Sequence, residues 1–555
     1  MNKKVCSFPI LFALLALLIG TCAVVFPASA QAAPTSTGSI TVGGTVARNY
    51  DAYQIFSANV VDGDNDAKIA TDLAWASDAA RDAVLPVLHS AGMPNSQTTA
   101  QEAAEWLNTD SHLTSALSAQ LARSLQSSGA VPVALNAGTT SELPCGYWLI
   151  VADDDAIAQD EAGTAPIMAL VGGSAVTVKP KAATPKVSKH VLEDSTAAWQ
   201  KAADATVADD LYWRLSATVP AGLTAYDTYA VQFVDTMSAG LDPSKVVASM
   251  RVYVAAGADG GFDAVSTGKD GRAGTESAKG WTDITAQCAT KVAADGTFTV
   301  RTGDLIAALG GADAFTAGAR VVAVYNAPLN SACNHGIAKG NPNEAYLRYP
   351  RSPFADQSGD AGFTRTPSDD ACAYTWDLAL TKRGSDGDKP LAGAVLSIAD
   401  DRGCTLAADG TWDAEGKATV TTGEDGRVTV SGVDSGKLEV RELKAPKGYT
   451  AFEGTRSVTV KAEGLDVDQV AAAKPKLTIT AESPLRADSA DGSTGSLEAS
   501  LINTPTGTPP SITTGGFMPS TGDMAMYAAA AAAVAGAALI VVALLVKRGG
   551  GSHKE

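Results

Sequence analysis

Five histidines, His89, His112, His190, His335 and His553, are spread so that none lies within four residues of another. A helical histidine pair for zinc needs closer spacing, so no such metal centre is expected. Asp62, Asp64 and Asp66 imitate the opening of a calcium loop. Such loops need Gly at the sixth position and Glu at the twelfth, and here Ala67 and Leu73 stand there, so a solvated hairpin loop is the better reading. Neither a nucleophile-elbow serine nor a paired His/Cys constellation stands out along the chain. An enzyme such as a surface hydrolase is therefore disfavoured, no cofactor is expected, and the chemistry left to the chain is self-modification.

The two ends look like addresses. Lys3 and Lys4 precede an apolar run over 9–25, and Ala28-Ser29-Ala30 supplies a small-residue cleavage pattern, so 1–30 reads as a secretory signal. Near the other end, an apolar stretch over 524–546 is long enough to cross a bilayer as a helix, and Lys547 and Arg548 follow it. Met518-Pro519-Ser520-Thr521-Gly522 stands just before that stretch. This arrangement resembles the cell-wall sorting signal of Gram-positive bacteria, Leu-Pro-x-Thr-Gly, with Met518 in the place of Leu. The resemblance implies that a sortase cysteine attacks the Thr521 carbonyl, expels Gly522 and hands Thr521 to an amine. Peptidoglycan and other subunits are the acceptors it implies.

The whole chain of 555 residues is material for three or four domains, and its net charge of −18 argues against nucleic-acid binding. Aromatic content is 6 %, while Gly is abundant at 53, which suits turn-rich β modules. The expected fold is mainly β: tandem β domains behind a β-rich N-terminal domain with a helical insertion. The N-terminal domain spans 36–181. Strands are expected at 38–46, 50–60, 130–135, 147–151 and 175–178, and helices at 66–89 and 99–126, the second opening on the capping box Thr99-x-x-Glu102. Further β domains are expected over 184–368 and 372–503, then a Pro/Gly/Thr linker over 504–517. Once Cys6 and Cys22 leave with the signal, five cysteines remain. In an oxidising exterior, pairing within domains gives Cys288 with Cys333 and Cys372 with Cys404, leaving Cys145 odd.

The third domain carries the most specific motifs. A strand ends in Thr381-Lys382, Pro390-Leu391-Ala392-Gly393-Ala394 follows, then GKLEVRELKAPKGY over 436–449, and LEASLIN closes the domain over 497–503. These pieces resemble the Cna-B type, SpaA-like, immunoglobulin-like domain of bacterial pilins. The resemblance makes the expected tandem β domains immunoglobulin-like (Cna-B type) and implies an amide bond between Lys382 and Asn503, promoted by Glu442. The residue types suit that task. Burial favours a neutral, nucleophilic amine, and it also favours a protonated carboxyl that can donate to the Asn503 carbonyl and shuttle protons while ammonia leaves. Folding supplies the proximity.

In the second domain, PKVSKHV over 185–191, AYDTY over 225–229, FVDTMSAGL over 233–241, YNAPLN over 325–330 and GNPNEAYL over 340–347 resemble the fimbrial isopeptide-formation domain. That resemblance makes Lys189 the amine and Asp235 the assisting acid. The family's closing strand ends Tyr-Ser-Asn, whereas Pro350 and Arg351 follow Tyr349 here. The domain is therefore expected to keep the fold and lack the usual bond, with Asn341, Asn343 and Asn326 as the substitutes for the missing acceptor.

Finally, AVTVKPK over 175–181 resembles the pilin motif Val-x-Val-Tyr-Pro-Lys, with Lys179 in the place of Tyr and Lys181 matching the reactive lysine. Together the resemblances imply the backbone subunit of a sortase-assembled pilus, joined head to tail through Lys181 and Thr521 and supporting adhesion to surfaces, a host surface among them. The alternative is a monomeric wall-anchored adhesin or an ancillary pilin binding host matrix.

Overall fold

A computed structural model describes residues 36–507, apart from 44–48, 65–66, 110, 154–156, 158, 181–183, 222 and 258–279. The signal segment, Lys181, residues 518–522 and the apolar stretch over 524–546 lie outside the described residues. Among the described residues no helix is long and apolar enough to cross a membrane.

The N-terminal unit is built around strand Asn49–Asp62. It pairs antiparallel with Lys68–Trp75 on one side and Gly146–Ala152 on the other, and Ile167–Val171 extends the sheet. A smaller sheet places Thr37–Val42 between Thr140–Pro144 and Val176–Val178. Helices Asp78–Ser90, Ala100–Asn108 and Ser115–Ser127 bury Leu88, Leu121 and Leu125 against Ile55 and Leu149. The Thr99/Glu102 capping box is present, and Ser77 and Thr114 cap the other two helices. Such caps contribute about 1 kcal/mol each.

Two expectations here are corrected. The helix expected over 66–89 begins only at Asp78, because 68–75 pairs with its neighbour in the register Asp62↔Lys68 to Phe56↔Trp75. Strand pairing of that kind overrides a local helical pattern. The single helix expected over 99–126 is two, because the chain leaves the helical path at Thr109 and restarts at the Thr114 cap. At the foot of this unit Asp62 accepts bonds from Ser174 N and Oγ, and Lys68 Nζ donates to the Gly172 and Ser174 carbonyls, so an ammonium fills the space beside Asp62.

Two immunoglobulin-like sandwiches follow. In the second unit one sheet runs in the order Ala198–Gln200, Val187–Glu193, Tyr212–Thr218, Arg320–Asn326, Arg251–Ala255, Thr282–Asp283. The facing sheet runs Ala202–Asp204, Asp369–Tyr374, Asn341–Pro350, Gln232–Met237, Thr297–Arg301, Ala289–Val292. Trp213, Phe233, Phe298 and Tyr325 fill the space between them.

In the third unit, Trp376–Gly384 lies between Arg427–Val433 and the last strand, Ser496–Pro505. The facing sheet is centred on Val395–Ala399, Gly436–Lys444 and Thr455–Glu463. Leu378, Leu396, Val440, Val458 and Leu501 are among its buried residues.

Candidate functional site: two buried lysines

The third sandwich assembles its site by period-two alternation. Leu378, Leu380 and Lys382 point inward from the first strand, Leu438, Val440 and Glu442 from the facing sheet, and Leu497, Ala499, Leu501 and Asn503 from the last strand. Each strand is an apolar inward row whose final member is polar. The first and last strands run parallel, with Lys382 opposite Leu501 and Gly384 opposite Asn503, so lysine and asparagine share one face at one end of the sandwich. Gly426 is required nearby. Its φ is +71°, and a Cβ there would meet the Lys382 carbonyl at 2.8 Å.

Lys382 is wholly buried. Its Nζ lies 3.4 Å from Glu442 Oε1 and 3.4 Å from the Leu501 carbonyl. Asn503 Nδ2 donates to Glu442 Oε1 at 2.8 Å and Oε2 at 3.1 Å, and Phe452 N donates to Oε2 at 3.1 Å. Glu442 therefore accepts from the amide nitrogen instead of donating to the amide oxygen as expected, and Asn503 Oδ1 has no hydrogen-bond partner. An ionised carboxyl can only accept. Burial pulls the Lys382 ammonium down to about 8, with the Glu442 charge opposing that shift. The amine is thus kept near the boundary between its charged and nucleophilic forms.

The second sandwich repeats the arrangement with different chemistry. Lys189, Asp235 and Asn343 are wholly buried. Lys189 Nζ contacts Asp235 Oδ2 and donates to Tyr325 Oη at 2.8 Å. Tyr325 Oη donates to Asp235 Oδ2 at 2.8 Å and receives Asn343 Nδ2 at 2.8 Å. Asp235 Oδ1 and Asn343 Oδ1 have no hydrogen-bond partner. Burial lowers Lys189 and raises Asp235, each against the attraction of the other.

Of the three asparagines considered as substitutes, Asn343 is the one at this site. Asn341 is tied to Asn334 N and O and the Ala373 carbonyl, and Asn326 to Leu211 N and Asp210. Tyr325 was not anticipated, although its neighbour Asn326 was. The two alternate across a strand, and only the tyrosine faces the core.

The cysteine pairing is corrected. Cys145, Cys288, Cys333, Cys372 and Cys404 are all free thiols, so neither Cys288–Cys333 nor Cys372–Cys404 is a disulfide. Spacing within a domain does not fix Cβ geometry, which a disulfide requires. Cys333 lies instead beside His335, a His/Cys contact that the linear spacing did not suggest. Lys179 is exposed. Lys181 and the sorting motif Met518, Pro519, Ser520, Thr521 and Gly522 lie outside the described residues.

Residues 377–474 match the family described as the SpaA prealbumin-like fold domain. Over 143 residues the chain is 31 % identical to the trypsin-resistant surface T6 protein of Streptococcus pyogenes serotype M6, a match spanning 24 % of this chain and 24 % of that protein. The chain thus covers about a quarter of this relative's length. Among solved structures, the T6 backbone pilin of serotype M6 S. pyogenes is 17 % identical with a TM-score of 0.47, covering 86 % of this chain and all of that one. The full-length major pilin SpaD of Corynebacterium diphtheriae is 16 % identical with a TM-score of 0.40, covering 85 % and 98 %. The segment 377–474, which holds Lys382 and Glu442, is thus similar to the SpaA prealbumin-like fold domain.

Proposed function

We propose that this chain is the structural backbone subunit of a sortase-assembled pilus, a covalent head-to-tail polymer stiffened inside each subunit by Lys–Asn isopeptide bonds. The observation that carries the reading is the burial of Lys382, Glu442 and Asn503 together at the end of paired first and last strands. A lone buried ammonium–carboxylate pair is a weak stabiliser, because desolvation offsets most of the attraction. An amine, an amide and a carboxyl held in contact are better explained as reactants.

In the proposed reaction the neutral Lys382 amine attacks Asn503 Cγ. A half-turn of the Asn503 amide about Cβ–Cγ brings its oxygen to a protonated Glu442, which polarises the carbonyl. Glu442 then relays the amine proton to the departing nitrogen, so one C–N bond forms, another breaks, and ammonia leaves. Asp235 and Tyr325 serve Lys189 and Asn343 in the same way. Asn343 as acceptor replaces the expectation that this sandwich lacks a bond. The proposed domain limits are 36–181, 184–368 and 372–503, with Thr521 as the acyl donor and Lys181 as the acceptor of the next subunit. Sortase and peptidoglycan are the partners this implies, and the cell wall the location.

The test is a denaturing gel blot of wall extracts from cells making the native chain or Lys181→Arg. A ladder of very large species that collapses in the variant is expected. A single band at monomer mass in both would replace the polymer with a singly anchored adhesin.

A further inference from the structure

Away from the two lysines, one trio of side chains stands in the order nucleophile, base, orienting carboxylate. Cys333 Sγ lies 3.5 Å from His335 Nε2, and His335 Nδ1 lies 2.7 Å from Asp377 Oδ1. Cys333 and His335 belong to the loop between strands Arg320–Asn326 and Asn341–Pro350 of the second sandwich, and Asp377 to the first strand of the third. The loop is firmly seated. Asn334 N donates to Asn341 Oδ1 at 2.8 Å, and Gly336 N to the Thr375 carbonyl at 3.0 Å. Gly336 has φ +74°, and a Cβ there would meet the Thr494 and Gly495 backbone at 2.6–2.8 Å, so only glycine lets the loop press against the third sandwich. Asp377 Oδ1 also accepts from Gly432 N at 3.2 Å, which fixes the carboxylate in turn. Both imidazole nitrogens are therefore engaged, one by sulfur and one by a held carboxylate.

We propose that Cys333 is a histidine-assisted nucleophilic thiol that exchanges with small disulfides, making the joint between the second and third sandwiches a site of reversible S-thiolation. Burial holds this thiol up at about 11, with the Asp377 charge acting in the same direction, so its proton rests on sulfur. The imidazole acts as general base during the attack and does not maintain a standing thiolate. A new S–S bond forms between Cys333 Sγ and one sulfur of the disulfide, and the old S–S bond breaks. The proton passes from Sγ through His335 Nε2 to the departing thiolate. Asp377 is a positioning residue. Cys333 is 8 % exposed and His335 half-buried, which admits a small reagent sooner than a protein thiol. Cys288, whose Sγ donates to the Ile284 carbonyl, and Cys404, beside Arg402, are more open and serve as internal controls.

The experiment is a time course of the intact, folded chain with oxidised glutathione at pH 7, read by peptide mass mapping. Native protein is expected to take the mixed disulfide at Cys333. His335→Gln slows that site about a hundredfold, the low end of general-base assistance, without changing Cys288 or Cys404. Asp377→Asn falls between. Added imidazole restores the Cys333 rate in His335→Ala, which a merely structural role would not produce. Equal Cys333 rates in native and His335→Gln protein overturn the proposal. So does a native Cys333 that reacts only after denaturation while Cys288 and Cys404 react in the folded chain.

Discussion

A lysine amine with no water around it is the unit on which this molecule's chemistry rests, and its neighbours decide whether it is a salt bridge or a reactant. Glu442→Gln keeps the shape of the site but removes the proton relay proposed for this carboxyl. The variant is expected to retain the ammonia of Asn503 and lose the tie across a loop on the order of 100 residues, a loss of about 4–5 kcal/mol by loop-closure entropy. Differential scanning calorimetry of the two chains checks this. In Asn503→Ala the amine cannot be consumed, and Lys382 titrates near 8, below the ordinary lysine value. Between that value and about 10.5 the unfolded chain then binds more protons than the folded one, so stability should rise with pH through this window and be flat below it. Urea titrations at pH 7 and pH 9.5 read the sign, and a variant no more stable at the higher pH would contradict the assignment. Lys382, Glu442 and Asn503 were named from the motifs that resemble the Cna-B type domain, and in the structure each closes an apolar alternation. Asn343 was only one of three choices, since Asn341 shares its strand face, and the Asn334 contacts that occupy Asn341 arise from a loop conformation no local pattern records.

At the scale of elements, the short strand Ala202–Asp204 ties the two sandwiches together. It pairs parallel with Cys372–Tyr374, and Asp204 accepts from Trp376 Nε1 at 2.6 Å and from Ser435 N and Oγ at 2.7 Å. Asp204 N donates to Glu193 Oε2 at 3.1 Å, and Asp194, Asp209, Asp401 and Asp434 face the same region, with Arg402 bridging Asp209 and Asp400. Burial pushes Glu193 up to about 7 and raises Asp204 and Asp434. Carboxyls raised in the folded state make it bind more protons than the unfolded chain. Their contribution is full below about 4.5 and is lost as pH rises through about 7. Melting temperature should therefore fall between pH 5 and pH 8, and Glu193→Gln should flatten that fall. An unchanged slope in the variant would remove Glu193 from the account. Such joints are invisible to local patterns, as are the strand at 68–75 and the break at 109–114. Each is set by a partner distant in sequence, whereas the capping box at Thr99 is set by residues three apart and was read correctly.

For the whole molecule, the parallel pairing of first and last strands defines where tension would run. A pull applied beyond Asn503 and before Trp376 shears two adjacent strands, and a Lys382–Asn503 bond would carry the load across them, sparing the chain between. Single-molecule extension should show no length release from that segment in the native chain. The Asn503→Ala variant should release on the order of 400 Å, at roughly 3.4 Å per residue. The mainly β, tandem architecture was legible from composition, alternating strand patterns and the motifs that resemble pilin domains. The disulfides were not, because an oxidising exterior says that thiols pair and not which ones approach.

The central claim, that Lys382 and Lys189 both end as amides, is tested most directly by the intact mass of the purified, folded region spanning both sandwiches. The account predicts a mass short of the sequence by two ammonia molecules, with tryptic crosslinks joining Lys382 to Asn503 and Lys189 to Asn343. A mass equal to the sequence would make both sites ordinary buried ion pairs and contradict the account.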